Sequence, residues 1–333
     1  MSLRTKSASR FASTLLALVL ICALILSSEA RADWPEHTIT IIVPFPAGGA
    51  NDLLGRLLAA ELAPKLGQNI VVENRVGSVG NVGLSAAARA AANGYTLLVT
   101  TNAVLINPLF DSSLSKTAYD TFKDFTPVAY LGAAPNFLIT RSSSDITSVA
   151  DLIAKAKANP GKLSYASPGV GSSSQLAAEL FKLRTNIDIS DISYDGSEPA
   201  MMAVISGATD IASVGIAGLL DHIRSGELRG LVQTGGERWT GLPNVPTMAE
   251  AGVPKVVAET SQMLLVPTGT PAPITEKLAR ATQQIMERAD IQAKRIQAGF
   301  RVECEGPYEL RVRMVRESSM WKEIIEGAGL KTK

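Results

Sequence analysis

Histidine and cysteine are nearly absent from this chain of 333 residues, and most routes to catalysis go with them. The histidines are His37 and His222, the second within the amphipathic stretch 219–224, and both read as surface side chains. The sequence holds no Gly-x-Ser-x-Gly elbow, no His-Glu-x-x-His pair and no cysteine–histidine pairing. Serine-hydrolase, zinc-protease and thiol-protease chemistry therefore lose their usual carriers. Carboxylates are scattered, which leaves an acid–base pair open on sequence alone but gives it no focus. The chain reads as a binding protein, with no cofactor and no metal. An excess of one charge is also missing. Lys and Arg number 32 against 31 Asp and Glu, with no basic run, which argues against nucleic acid or an anionic membrane as partner.

Long apolar runs are missing too, apart from residues 15–26. Arg4, Lys6 and Arg10 precede that run, and Ala30-Arg31-Ala32 follows it as a cleavage site. An apolar core of this length fits a secretory signal and falls short of the ~20 residues of a membrane span. The expectation is a signal peptide over 1–32, a mature chain from Asp33 and a periplasmic location; an uncleaved anchor is the alternative. Val19-Leu20-Ile21 before Cys22 lacks the small residue a lipoprotein signal needs. After cleavage only Cys304 remains, so no internal disulfide can form. Removal of Arg4, Lys6, Arg10, Arg31 and Glu29 leaves 28 basic against 30 acidic side chains, a net charge of −2. The 301 residues left (333 − 32) suffice for two ordinary domains.

Strand-like and helical stretches alternate through the mature chain. Residues 39–45 read as a buried strand, 52–66 as a helix with leucines at helical spacing, 70–73 as a strand, 85–92 as helix and 95–101 as a strand. The pattern resumes with strand 137–140, helix 149–158, strand 163–166 and a helix ending near 183. Further strands are expected at 189–194, 211–214, 228–234 and 262–266, then helices over 273–297 and 308–325. Such alternation implies α/β architecture with mainly parallel sheets flanked by helices. The closing helices have no sheet of their own. The economical arrangement is two lobes, 33–135 plus 260–333 and 136–259, with a ligand cleft between them and hinge closure around the ligand.

Three strand-to-helix corners could hold that ligand. Phe45-Pro46-Ala47-Gly48-Gly49-Ala50-Asn51-Asp52 offers glycine backbone and a helix N-terminus, a carboxylate site that needs no Lys or Arg. Asp52 reads equally as a helix cap. Ser167-Pro168-Gly169-Val170-Gly171-Ser172-Ser173-Ser174-Gln175 adds hydroxyls. Its spacing fails the dinucleotide fingerprint, and neither loop ends in the Gly-Lys-Ser/Thr of a P-loop. The corner Tyr194-Asp195-Gly196-Ser197-Glu198 is the third, with Tyr194 either covering the ligand or packing on its lobe. Thr101 and Asn102, at another strand end, either add side-chain hydrogen bonds or cap a local turn.

Many short segments, in order, give the chain a family resemblance. Trp34-Pro35, Ile39-Thr40-Ile41-Ile42-Val43-Pro44-Phe45-Pro46-Ala47-Gly48-Gly49 with Asp52 and Arg56, and Val71-Val72-Glu73-Asn74-Arg75 with Gly77 come first. Gly94-Tyr95-Thr96-Leu97-Leu98, Lys123-Asp124-Phe125-Thr126-Pro127-Val128, Pro160-Gly161-Lys162-Leu163 and Tyr165-Ala166-Ser167 follow. Leu242-Pro243-Asn244-Val245-Pro246-Thr247 with Glu250-Ala251-Gly252 closes the set. Across almost the whole mature chain the sequence resembles the substrate-binding proteins of tripartite tricarboxylate transporters, the Bug family. The resemblance implies a periplasmic-binding-protein-like, type II (Venus flytrap) fold. It implies a carboxylate held by backbone amides and water, and delivery to one large and one small membrane subunit of a transporter. Presentation of the bound solute to a two-component sensor kinase is the alternative. A single-chain protein is expected. Carried over by position, the site would use the corners 45–52, 167–175 and 194–196. Gln175 stands where the family often has His, Asp195 where a basic residue is common, and Asn93 where Asp is usual. Asp195 therefore either faces solvent or meets an amino or hydroxyl group of the ligand. Dicarboxylates, hydroxy acids, amino acids and aromatic acids all stay open.

Overall fold

The computed structural model describes residues 34–110, 119–216 and 218–330. The expected signal segment 1–32 and its expected cleavage site lie outside the described residues. All sheets and helices below belong to the unit Thr38–Lys333. In chain order they are β1 (Ile39–Val43), α1 (Ala50–Leu66), β2 (Ile70–Asn74), α2 (Asn81–Ala88), β3 (Thr96–Thr101), α3 (Ala103–Phe110), α4 (Thr121–Asp124) and β4 (Phe125–Pro135). A second series has β5 (Phe137–Arg141), α5 (Val149–Ala158), β6 (Ser164–Ser167), α6 (Ser173–Thr185), β7 (Ser190–Ser193), α7 (Ser197–Ser206), β8 (Ile211–Val214), α8 (Leu219–Arg224) and β9 (Leu228–Gln233). The chain closes with β10 (Glu259–Pro267), α9 (Ala272–Met286), α10 (Ala289–Gln297) and α11 (Pro307–Gly327).

Two five-stranded sheets result, ordered β2-β1-β3-β10-β4 and β7-β6-β8-β5-β9. The α/β class expected from the alternation is what forms, with one refinement: each sheet is mixed rather than mainly parallel. β1 pairs in parallel with β2 and β3, and β6 with β7 and β8. β10 then runs antiparallel to β3 and β4, and β5 antiparallel to β8 and β9. The physical reason is the crossing: β5 and β10 enter their sheets from the other sheet, so they arrive pointing the opposite way. The central strands are apolar on both faces, as Ile41, Ile42 and Val43 in β1 and Leu97 to Val99 in β3 illustrate.

The chain passes between the sheets at Asn136 and returns at Ala258–Glu259. These crossing segments are tied to each other. The Asn136 side chain donates to the Ala258 carbonyl (2.7 Å), and Thr234 Oγ1 donates to the same oxygen (2.7 Å). The Asn136 amide donates to Thr234 Oγ1 (3.0 Å), while the Thr234 and Ala258 amides complete the set. Helix α11 spans the back. Leu310 and Met314 lie in a core cluster with Leu98, Tyr130 and Met263 of the first sheet. Trp321, Ile324 and Ile325 lie in another with Leu138, Tyr165 and Phe181 of the second.

Three local expectations change. The helix expected over 273–297 is two helices, because Arg288 adopts an extended ψ of 134° and its guanidinium pairs with Asp290 and Glu61. The stretch 85–92 expected within a helix is helical only to Ala88, in a helix that starts at Asn81 and is closed by Arg89. Strand β4 and helix α3 were missed, the first for its Gly132-Ala133-Ala134 run, the second for Pro108 within it.

Candidate ligand-binding site

A cavity of about 830 Å³ lies where loops from the two sheets face each other. Each loop follows the carboxyl end of a strand and opens a helix. From the first sheet come the loops before α1, α2 and α3; from the second come those before α6, α7 and α8. In an open α/β sheet this edge is where ligands collect.

The loop before α1 is shaped by Asp52. Gly48 has a φ of 81°, a left-handed value that a side chain would oppose, and its amide donates to Asp52 Oδ2 at 2.9 Å. Asp52 also accepts from Asn74 Nδ2 (2.8 Å) and Arg56 Nε (2.9 Å). Burial alone would raise its pKa, but the Arg56, Gly48 and Asn74 hydrogen bonds and the Arg56 charge outweigh burial and hold the carboxyl below its ordinary value. Asp52 thus braces the loop from behind, the reading of a helix-terminal anchor, and it does not line the cavity. Ala47 is exposed and also off the wall, while Phe45, Gly48, Gly49 and Asn51 are on it. Asn51 donates Nδ2 to Gln262 Oε1 on β10 (2.6 Å).

The loop before α6 is organised by a residue that sequence reasoning missed. Asp191, on β7, accepts from Ser167 Oγ (2.8 Å) and from Gln175 Nε2 (2.5 Å). Gln175 Oε1 in turn accepts from the Gly171 amide (2.7 Å). Ser167 and Gln175 are therefore turned away from the cavity, whereas Gly169, Gly171, Ser172 and Ser173 line it. Ser172 caps α6 by accepting from the Gln175 amide (3.2 Å). Ser173 Oγ lies 2.7 Å from Thr260 Oγ1 on β10, and Ser174 Oγ donates to Asn136 Oδ1 (2.7 Å), so this wall is bound to the crossing strands.

Thr101, Asn102, Tyr194 and Asp195 also line the cavity. Thr101 Oγ1 accepts from the Ala103 amide (3.1 Å), and Asn102 Nδ2 donates to the Glu259 carbonyl (2.9 Å), so both side chains cap and tie their corner. Among the residues missed are Gly77-Ser78-Val79-Gly80, Gly215, Ile216, Thr260 and Gln262. Two glycines directly after a strand were the available signal for the loop 77–80. Its Val79 has φ 51° and ψ 41°, costly for a β-branched residue, and Asn107 Nδ2 holds its carbonyl at 3.0 Å. Thr260 and Gln262 had no local signal, because a strand from the other end of the chain delivers them.

Five helices of at least eight residues, α1, α2, α3, α6 and α7, start at this wall, each bringing the positive end of its dipole. Among the described residues no Lys, Arg or His side chain lines the cavity, and the carboxylates that do are Asp195 and Glu198. Among the described residues no cluster of His, Cys, Asp and Glu could hold a metal ion. The remaining cysteine, Cys304, is half-buried, and burial pushes its pKa to about 11, so it stays a thiol.

A cleft with this chemistry, built from backbone donors rather than reactive side chains, defines a solute-binding protein. The chain belongs to the tripartite tricarboxylate transporter family receptors, whose profile matches residues 54–330. It is 35% identical to Protein BugT of Bordetella pertussis over 310 residues, 92% of this chain and 94% of that one. The structure of R. palustris Rpa4515 with adipate is 32% identical with a TM-score of 0.81, covering 89% of this chain and 98% of that one. MatC of Rhodopseudomonas palustris, solved with bound malate, is 29% identical with a TM-score of 0.76, over 88% and 100%. Such proteins are receptors, not enzymes, and membership places the chain outside the cytoplasm.

Proposed function

We propose that this protein captures a small organic acid in the cleft between two hinged lobes and delivers it to the large and small membrane subunits of a tripartite tricarboxylate-type transporter. The lobes are built on the two sheets, the crossings at Asn136 and Ala258–Glu259 are the hinge, and the periplasm is the place of capture. The single observation that carries the reading is the convergence of helix N-termini on a cavity that no basic side chain among the described residues lines. Such ends hold a carboxylate by amide hydrogen bonds and dipole alone. The volume lies within the range of small-molecule sites, roughly 300–1,000 Å³. Adipate and malate in the related structures are acids of fitting size.

The test is calorimetric titration with small carboxylic acids and with their primary amides. The acids bind and the amides do not; a bound ligand at about 100 times its dissociation constant adds about 2.7 kcal/mol of stability. Equal binding of acid and amide would contradict carboxylate capture. Delivery is checked by uptake of a binding acid into cells carrying the two membrane subunits, which should require this protein.

A further inference from the structure

We infer that the preferred ligand is zwitterionic: besides the carboxylate of the proposed function, on which this rests, it carries a cationic nitrogen that docks at the α7 corner of the cavity. Three observations point there. Asp195 lines the cavity, is exposed, and makes no hydrogen bond or ion pair among the described residues. Glu198, one helical turn on, lines it too; its carboxylate touches only His222 Nε2 at 3.4 Å, from outside the cavity. Tyr194 stands beside them on the same wall. Two carboxylates and an aromatic ring in one corner are the groups that receive an ammonium or alkylammonium.

The second wall adds an independent sign. Asn51 is 5% exposed and lines the cavity, and its amide nitrogen is given to Gln262. Its Oδ1 is left buried with no donor. Acceptors without donors thus stand on both walls, and an unmet buried acceptor is costly. A ligand made of carboxylates alone offers them no hydrogen and meets Asp195 and Glu198 with like charge, whereas an ammonium offers three hydrogens and the opposite charge. The acids also divide the helix ends by role. Asp195 and Glu198 offset the positive end of α7 itself, and the ends of α2, α3 and α6, free of acids in their first turns, remain for the ligand carboxylate.

Calorimetry on the purified protein decides the matter, using pairs that differ at one end: succinate and β-alanine, glutarate and γ-aminobutyrate, adipate and δ-aminovalerate, together with the common L-amino acids and L-malate. Among the acids that bind, an amino acid should bind at least about tenfold tighter than its matched dicarboxylate, and D195N should lower that ratio about tenfold through loss of the amino member. Tighter or equal binding of dicarboxylates, or a ratio unmoved in both D195N and the D195N/E198Q pair, would overturn the inference while leaving carboxylate capture intact. Binding of neither kind would remove both.

Discussion

The cavity and the region behind it divide the charged residues between them. Among the described residues the cavity wall has two acids and no base. Behind it, around β4, β10, α10 and α11, cations and anions are packed together and mostly buried. Arg313 pairs with Glu305 through both a 2.8 Å Nε contact and a second nitrogen, and lies over the Tyr130 ring at 4.0 Å. Arg301 Nε sits 2.9 Å from Glu259 Oε1, and its Nη2 donates to the Glu237 carbonyl of the second-sheet segment at 2.7 Å. Arg295, 1% exposed, donates to the carbonyls of Leu131 and Glu303 at 2.7 Å each. Bases thus serve the frame and backbone dipoles serve the ligand. Fixed amides cost no side-chain ordering when a ligand arrives, whereas a flexible Lys or Arg would.

Breaking the frame should have the largest effect. R313M leaves Glu305 and the buried Glu317 without their cation and should cost about 3–5 kcal/mol in urea unfolding. A loss under about 1 kcal/mol would mean that the cluster is only decorative. Loosening the cavity's scaffold comes next. D52N removes the charge that holds the Gly48 amide and Arg56 and should cost about 1–3 kcal/mol. Because the folded pKa of Asp52 is lowered, its contribution is present above the ordinary 3.8 and fades as pH falls below it, so wild type and D52N should converge in acid.

A third test is a pH profile. Glu317 accepts from Ser261 Oγ (2.7 Å), and burial, against the pull of Ser261 and Arg313, raises its pKa from 4.5 to about 7. The folded state then keeps a proton that the unfolded chain releases, so this group lowers stability as pH rises from 4.5 to about 7. E317Q keeps an acceptor for Ser261 and removes that loss. Melting curves should show the variant gaining on wild type across this window and holding its lead above it.

The sequence disclosed the corners better than it disclosed the side chains on them. Glycine pairs after apolar runs marked the loops before α1 and α6 because backbone conformation is a local matter. Whether a polar side chain on such a loop faces inward is not local. Gln175 looked ligand-facing and Asp52 read as a ligand contact or a helix cap, and both turn back because Asn74 and Asp191 on adjacent strands reach them. Thr260 and Gln262 come to the wall from β10, beyond any window of local pattern. The same distance effect hid the mixed pairing of the sheets, since strand direction follows from the crossings and not from strand composition.

The central claim is that helix ends, not basic side chains, hold the ligand's carboxylate. A crystal structure of the protein with a bound acid tests it most directly. The account predicts the carboxylate within hydrogen-bonding distance of backbone amides at the starts of α1, α2, α3 or α6, with no Lys or Arg in contact. A carboxylate held by a lysine or arginine side chain, or one bound away from this cavity, would contradict it.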